Sequence, residues 1–286
     1  MTGILNLDKP AGWTSHDAVA KLRRLLGERR IGHGGTLDPM ATGVLPVFVG
    51  RATRAVEFLE AADKEYEAGL RLGIVTDTQD TTGQILEEKP VSVTEEDLRA
   101  AILDLAGERE QLPPMYSAVK VGGKALYAYA RAGKDVARKP RHITIYEAEP
   151  LGWSGEEYRF RILCSKGTYI RTLCHDLGQT LGCGGAMSSL RRLRAGPFRL
   201  EETVSLETVT EKGEACLLPL DSLFADRPAI TLDGERTRRV LCGNDIPLEG
   251  EAGEYRLYGP DGEFLALAAL DSGRAKIIKS FFEVRQ

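Results

Sequence analysis

Apolar residues recur along the chain with two periods, and the polar residues between them divide it into elements. From Thr14 to Gly27, Val19, Leu22, Leu25 and Leu26 share one face at helical spacing, Thr14 and Asp17 have the spacing of a capping box, and Gly27 closes the segment. This predicts a helix. Val44–Val49 predicts a buried strand with Pro46 at a bulge or edge, and Thr53–Ala62 a short helix. Tyr66, Ala68, Leu70 and Leu72 then alternate with Glu65, Glu67, Gly69 and Arg71, the two-residue period of a strand with one dry face. Thr94–Gly107 predicts a further helix, with Thr94 as N-cap, acids in the first turn and glycine at the end. Tyr158, Phe160, Ile162 and Cys164 repeat the strand period, and Ser165-Lys166-Gly167 turns the chain. Thr168 is expected to cap a helix with the stripe Ile170, Leu173, Leu177 and Leu181.

Beyond Phe224 the pattern changes to short apolar runs separated by Pro228 and by glycines 234, 243, 250, 253, 259, 262 and 273. That spacing predicts a small all-β module, 229–286, following a large mixed α/β domain, 1–225, with the linker near 220–230. Between Leu112 and Arg141 lie Pro-Pro, Gly-Gly, three tyrosines and many cations, either an exposed excursion that touches a partner or tyrosines used for packing.

Composition narrows the function classes. The 286 residues are 42% hydrophobic, enough for a sizeable core, and no stretch reaches the roughly 18 apolar residues of a membrane span, so a soluble, cytoplasmic protein is expected. Five cysteines without a CxxC pair fit a reducing compartment and weigh against structural zinc. The net charge is −4, yet 9–54, 120–142 and 159–199 are rich in Lys and Arg and nearly free of acids. If folding gathers those stretches, an acidic protein presents a basic face suited to nucleic acid.

The candidate chemistry centres on GHGGTLDPMATGVLPVFVG, residues 32–50, where Asp38 lies between a glycine-rich bend and Pro39. Glycines 32, 34 and 35 permit positive φ and close backbone approach, and Pro39 restricts the residue before it. Either this is a positioned acid, or Asp38-Pro39 simply opens a turn. Arg171 falls in the first turn of its helix, where the dipole disfavours a cation. The compensating anion is Asp38 or an RNA phosphate, unless the arginine is exposed and its small cost tolerated. There is no phosphate loop, GxGxxG, GxSxG or HExxH motif, and TDTQDTTG lacks the glycine spacing of a calcium loop and reads as a turn. What remains, a constrained acid, a ring on a dry strand face and an arginine at a helix start, can compose a metal-free site for an everted nucleotide.

The strings LNLDKPAGWTSHDAV, GHGGTLDPMATGVLPV, KEYEAGLRLGIVTDTQDTTGQI, PPMYSAVKVGGKALYAYAR, CSKGTYIRTLCHDLGQTLGCG and SLRRLRAGPF, in that order, resemble the TruB family of tRNA pseudouridine synthases over roughly residues 3 to 200. The resemblance implies a pseudouridine synthase fold with a largely antiparallel sheet, and a small β-barrel-like PUA-type domain at the C-terminus. It implies isomerisation of the T-loop uridine, U55, without metal or cofactor. By it, Asp38 is the catalytic carboxylate, Tyr66 stacks on the flipped uracil and assists at C5, and Arg171 pairs with Asp38. His33, Tyr169 and Leu190 line the nucleotide pocket, His33 propping the T-loop, and Lys9 supports the site or contacts a phosphate. The excursion 112–141 would embrace the tRNA T-arm. The implied enzyme is monomeric and needs no protein partner. In place of the small residue and histidine that often follow GCG in the family, Gly185-Ala186 stand here. The rival readings are a protein that binds or folds RNA without chemistry, and a guide-RNA-directed relative.

Overall fold

The computed structural model describes residues 1–282. The first half runs through β1 (Gly3–Lys9), α1 (Ser15–Leu26), β2 (Ile31–His33), β3 (Thr42–Val49), α2 (Val56–Ala61), β4 (Lys64–Leu72), β5 (Ile74–Thr76), β6 (Ile85–Glu88), α3 (Glu95–Leu103) and β7 (Gly107–Gln111). The excursion holds β8 (Lys120–Val121), β9 (Lys124–Ala125) and α4 (Leu126–Ala130). Then come β10 (Arg141–Ser154), β11 (Glu157–Cys164), α5 (Ile170–Thr180), β12 (Gly185–Ala195), β13 (Phe198–Arg199) and α6 (Leu206–Lys212). The C-terminal part consists of β14 (Ala229–Thr231), α7 (Gly234–Leu241), β15 (Ile246–Pro247), β16 (Gly253–Tyr258), β17 (Phe264–Asp271) and β18 (Arg274–Ser280).

The main sheet has the order β1-β3-β12-β4-β11-β10-β7, with β2 added on β3 and β13 on β12. Its pairings are antiparallel except β3 with β12, which touch in parallel through Arg191 opposite Thr42 and Arg192 opposite Gly43. A Cβ at Gly43, whose φ is +96°, would strike the Arg192 backbone, so only glycine allows the two strands to meet there. β4 lies between β12 and β11 with Tyr66, Ala68, Leu70 and Leu72 buried, as its alternation predicts. They join the main core with Phe160 and Ile162 of β11 and the stripe of α5, of which Leu181 is only partly buried. A second core joins α2, β3 and Phe224 to Leu267 and Phe281 of the C-terminal five-stranded sheet, ordered β14-β16-β17-β18-β15.

Local signals located most elements. Thr14 forms the predicted capping box with Asp17, and Thr94, predicted as an N-cap, forms one as well, with Asp97. Four expectations change. The 229–286 module is not all-β, because Asp233 caps helix α7 between β14 and β15. The 94–107 helix ends at Leu103, because Gly107 (φ +120°) already opens β7. The segment 53–62 begins as a 3₁₀ turn and becomes α-helical only at Val56. Thr168 does not cap α5: its hydroxyl donates to Ser165 O, and Tyr169 holds the N-cap position.

Candidate active site

Asp38 sits in a loop pinned on both sides. The Ser15 hydroxyl, at the start of α1, accepts from Leu37 N at 2.9 Å and donates to Leu37 O at 3.2 Å. The fully buried ammonium of Lys9 donates to Pro39 O (3.3 Å), Trp13 O (2.6 Å) and Pro10 O (2.9 Å), and Gly12 N donates to Pro39 O as well. Lys9 is therefore a brace beneath the loop; with no exposed surface it cannot meet a phosphate. Burial lowers its pKa to about 8. Asp38 does open a turn, its carbonyl accepting from Ala41 N, so the local turn and the positioned acid are one feature. Of the three glycines ahead of it, Gly35 has positive φ, Gly34 is needed because a Cβ would strike Leu59, and Gly32 continues β2.

Arg171 meets this acid from below. Its Nε lies 2.9 Å from Asp38 Oδ2 and its terminal nitrogen donates to Oδ1 at 3.3 Å, a two-pronged ion pair. The arginine side chain is only 7% exposed, whereas that of Asp38 is 31% exposed, so the carboxylate keeps access to solvent beside a buried guanidinium. Asp38 is thus the anion expected at this helix start. Arg171 also donates to Tyr116 O (2.9 Å) and Thr78 O (3.2 Å), and Asp80 Oδ2 lies 3.8 Å away. Burial pushes the Asp38 carboxyl above its ordinary range, and Asp80 adds to this while Arg171 opposes it.

Tyr66 is buried on β4, opposite Ile162 of β11 and Arg192 of β12. Burial raises its phenol pKa, and the Asp38 charge reaches it. Leu190, also buried, lies two residues from Arg192 on β12 and opposite Ala68. Tyr169 starts the helix of Arg171, two residues before it. His33 ends β2, with its ring edge-to-face against His16 at 5.4 Å; burial lowers its pKa to about 4, so it is neutral near pH 7. A neutral imidazole suits a prop better than an acid.

Four contributors were not singled out from the sequence. Asp80 belongs to TDTQDTTG, which does form a turn between β5 and β6; its Oδ1 is held by Thr78 and Thr82 hydroxyls and Thr82 N, and its Oδ2 flanks Arg171. Gln111, at the foot of the excursion, accepts from Tyr169 N (2.8 Å) and donates to Tyr169 O (3.0 Å), replacing the missing side-chain cap of α5. Ser15 clamps the acid loop, and Arg192 lies under it. Asp80 shows as clustered acids in the sequence; the others act on backbone groups of distant segments and leave no local pattern.

The sequence pattern of the TruB family pseudouridylate synthase N-terminal domain matches residues 23–170, and that of the tRNA pseudouridylate synthase B C-terminal domain matches residues 171–225. The chain is 48% identical over 274 residues to tRNA pseudouridine synthase B of Aromatoleum aromaticum, covering 94% of this chain and 89% of that one. With the enzyme of the same name from Streptococcus pneumoniae it shares 47% over 272 residues, 91% and 93% of the two chains. Among solved structures, a chain of a Cbf5-Nop10-Gar1 complex matches with a TM-score of 0.75 at 28% identity, covering 99% of this chain and 85% of that one. A chain of an H/ACA RNP bound to a substrate RNA containing 2'-deoxyuridine matches with a TM-score of 0.74 at 27% identity, covering 99% and 86%. Family patterns that together match residues 23–225, with 47–48% identity to the two synthases over more than nine-tenths of the chain, show that it belongs to the TruB family of pseudouridylate synthases, and it is an isomerase.

Proposed function

We propose that the protein isomerises the T-loop uridine of tRNA, U55, to pseudouridine, with Asp38 as its catalytic carboxylate. The observation that carries this reading is the two-pronged Arg171–Asp38 pair, in which a buried cation orients a partly exposed carboxylate. The uridine leaves the stack, and its base lies against Tyr66 with Tyr169 and Leu190 around it, while neutral His33 props the vacated loop. The bond from ribose C1′ to uracil N1 breaks, the base rotates, and C1′ joins C5. Asp38 attacks C1′, adds to the base or takes the C2′ proton; each role uses the ionised, oriented carboxylate that Arg171 maintains. Substrate and product have the same composition, the proton lost from C5 being balanced by one gained at N1, so the overall change needs no co-substrate.

In this reading 1–225 is the catalytic domain, 112–141 its grip on the T-arm, and 229–286 a PUA-type RNA-binding domain, working as a monomer in the cytoplasm. The mixed five-stranded sheet with its single helix α7 supports a β-rich C-terminal module. Among the described residues no helix is long and apolar enough to cross a membrane. The higher identity to the tRNA enzymes than to the ribonucleoprotein chains favours a stand-alone enzyme over a guide-directed one. The test is incubation with an unmodified tRNA transcript and nucleoside analysis. Pseudouridine at the T-loop position supports the proposal; binding without conversion would leave an RNA-binding or RNA-folding protein instead.

A further inference from the structure

Arg192 is the largest side chain that the fold buries completely, at 1% exposure, and no carboxylate lies within ion-pair distance of it among the described residues. Its Nε donates to Val44 O at 2.6 Å and a terminal nitrogen donates to Gly35 O at 3.2 Å, three residues before Asp38. Those neutral carbonyls satisfy hydrogen bonds but not charge. The titratable groups around it are no source of negative charge: Lys9, Lys64 and the neutral His33 are each pushed downward in part by the Arg192 charge. A buried, unpaired guanidinium is costly, and an anion forming beside it is stabilised far more than in water.

The geometry selects which anion that is. Arg192 stands directly opposite Tyr66 in the antiparallel β4–β12 pair, so the two side chains share a face, and the guanidinium charge acts on the phenol. With 1% of its surface exposed, Arg192 is out of reach of an RNA phosphate. Arg171, not Arg192, holds Asp38. The Tyr66 oxygen is the group left. Burial, Cys164 and Asp38 all resist a phenolate there, and Arg192 alone among the groups acting on that phenol favours it.

We propose that Arg192 is a positioning residue that acts through Tyr66, fixing its phenolic oxygen and stabilising it as the acceptor of the uracil C5 proton. The inference rests on the reading that the flipped uracil lies against Tyr66. Once C1′ is bonded to C5, that carbon carries both the sugar and a hydrogen. The Tyr66 phenolate, its own proton already lost to water, takes the hydrogen as a proton. The C5–H pair becomes the C5=C6 bond, the C6=N1 pair moves onto N1, and N1 takes a proton from water.

The test compares single-turnover pseudouridine formation on tRNA carrying protiated or C5-deuterated uridine, for the wild type, Arg192→Gln and Arg192→Lys, with melting curves and tRNA affinity measured alongside. Glutamine keeps donors for the carbonyls and drops the charge; lysine keeps the charge and loses the fork. Arg192→Gln should slow formation at least about tenfold with a deuterium effect larger than that of the wild type, and Arg192→Lys a few-fold with a smaller one, at unchanged tRNA affinity. If the glutamine variant melts early, the lysine variant decides by the same comparison. Slower formation with an unchanged isotope effect, or no slowing at all, overturns the proposal. Tyr66→Leu and Tyr66→Phe separate the two readings: full activity in the leucine variant removes the placement of uracil against Tyr66, full activity in the phenylalanine variant alone removes the phenol's role and that of Arg192 with it, and a slow Tyr66→Phe beside isotope-insensitive Arg192 variants removes only the role of Arg192.

Discussion

Asp38 is pulled in opposite directions, and the balance predicts its pH behaviour. Burial and Asp80 raise its carboxyl above the ordinary value of 3.8, while Arg171 lowers it. In the proposed mechanism the ionised form acts, so activity should be lost as pH falls through the raised pKa, and the acid limb of a single-turnover profile should lie above pH 3.8. Replacing either flanking group moves that limb in opposite senses. Arg171→Met removes the opposing attraction and shifts the limb to higher pH; Asp80→Asn removes a repulsion and shifts it lower, while the plateau rate falls because Arg171 loses a guide on one flank. Shifts in the same direction would contradict this electrostatic assignment. At this scale the sequence exposed Asp38 and Arg171 through local signals, a proline-bounded acid and a cation at a helix start. It hid Arg192, Gln111 and Ser15, whose roles exist only once β12, α5 and the acid loop are brought together.

Elements hold the site through backbone carbonyls that buried ammonium groups gather. Lys64, at the start of β4, donates to Leu59 O, Glu60 O and Ala62 O, closing the C-terminus of α2 much as Lys9 closes the acid loop. Lys64→Met leaves those acceptors without that donor and should cost about 1–3 kcal/mol of stability, read by denaturant unfolding. Burial lowers the pKa of Lys64 to about 8, against 10.5 for the free group. Between those values the unfolded chain binds more protons than the folded one, so this lysine adds stability as pH rises. The gap between wild type and Lys64→Met should therefore widen from pH 8 to 10.5; a narrowing gap would show that the ammonium is not strained by burial. Helices with their own caps, Thr14 and Thr94, were legible in the sequence. The start of α5 was not, because its cap comes from Gln111, 58 residues away.

For the molecule as a whole, counting charges along the chain overstates one part of the basic face. In 159–199, Arg159, Arg161, Arg171, Arg191 and Arg194 pair with carboxylates and Arg192 is buried, whereas most cations of the excursion stay exposed, Lys124 and Arg131 lying over Tyr129 and Tyr127. Alanine at Lys120, Lys124 and Lys139 should weaken tRNA binding and flatten its salt dependence by roughly 0.7–0.9 in log–log slope for each phosphate that is no longer neutralised. An unchanged slope would place the grip elsewhere. The central claim, that Asp38 does chemistry rather than merely binding, is tested most directly by tritium release from tRNA labelled at uridine C5. The wild type should release the label, and Asp38→Asn should release none while binding tRNA with nearly unchanged affinity. Release by the asparagine variant at the wild-type rate, or a loss of release matched by an equal loss of binding, would contradict the account.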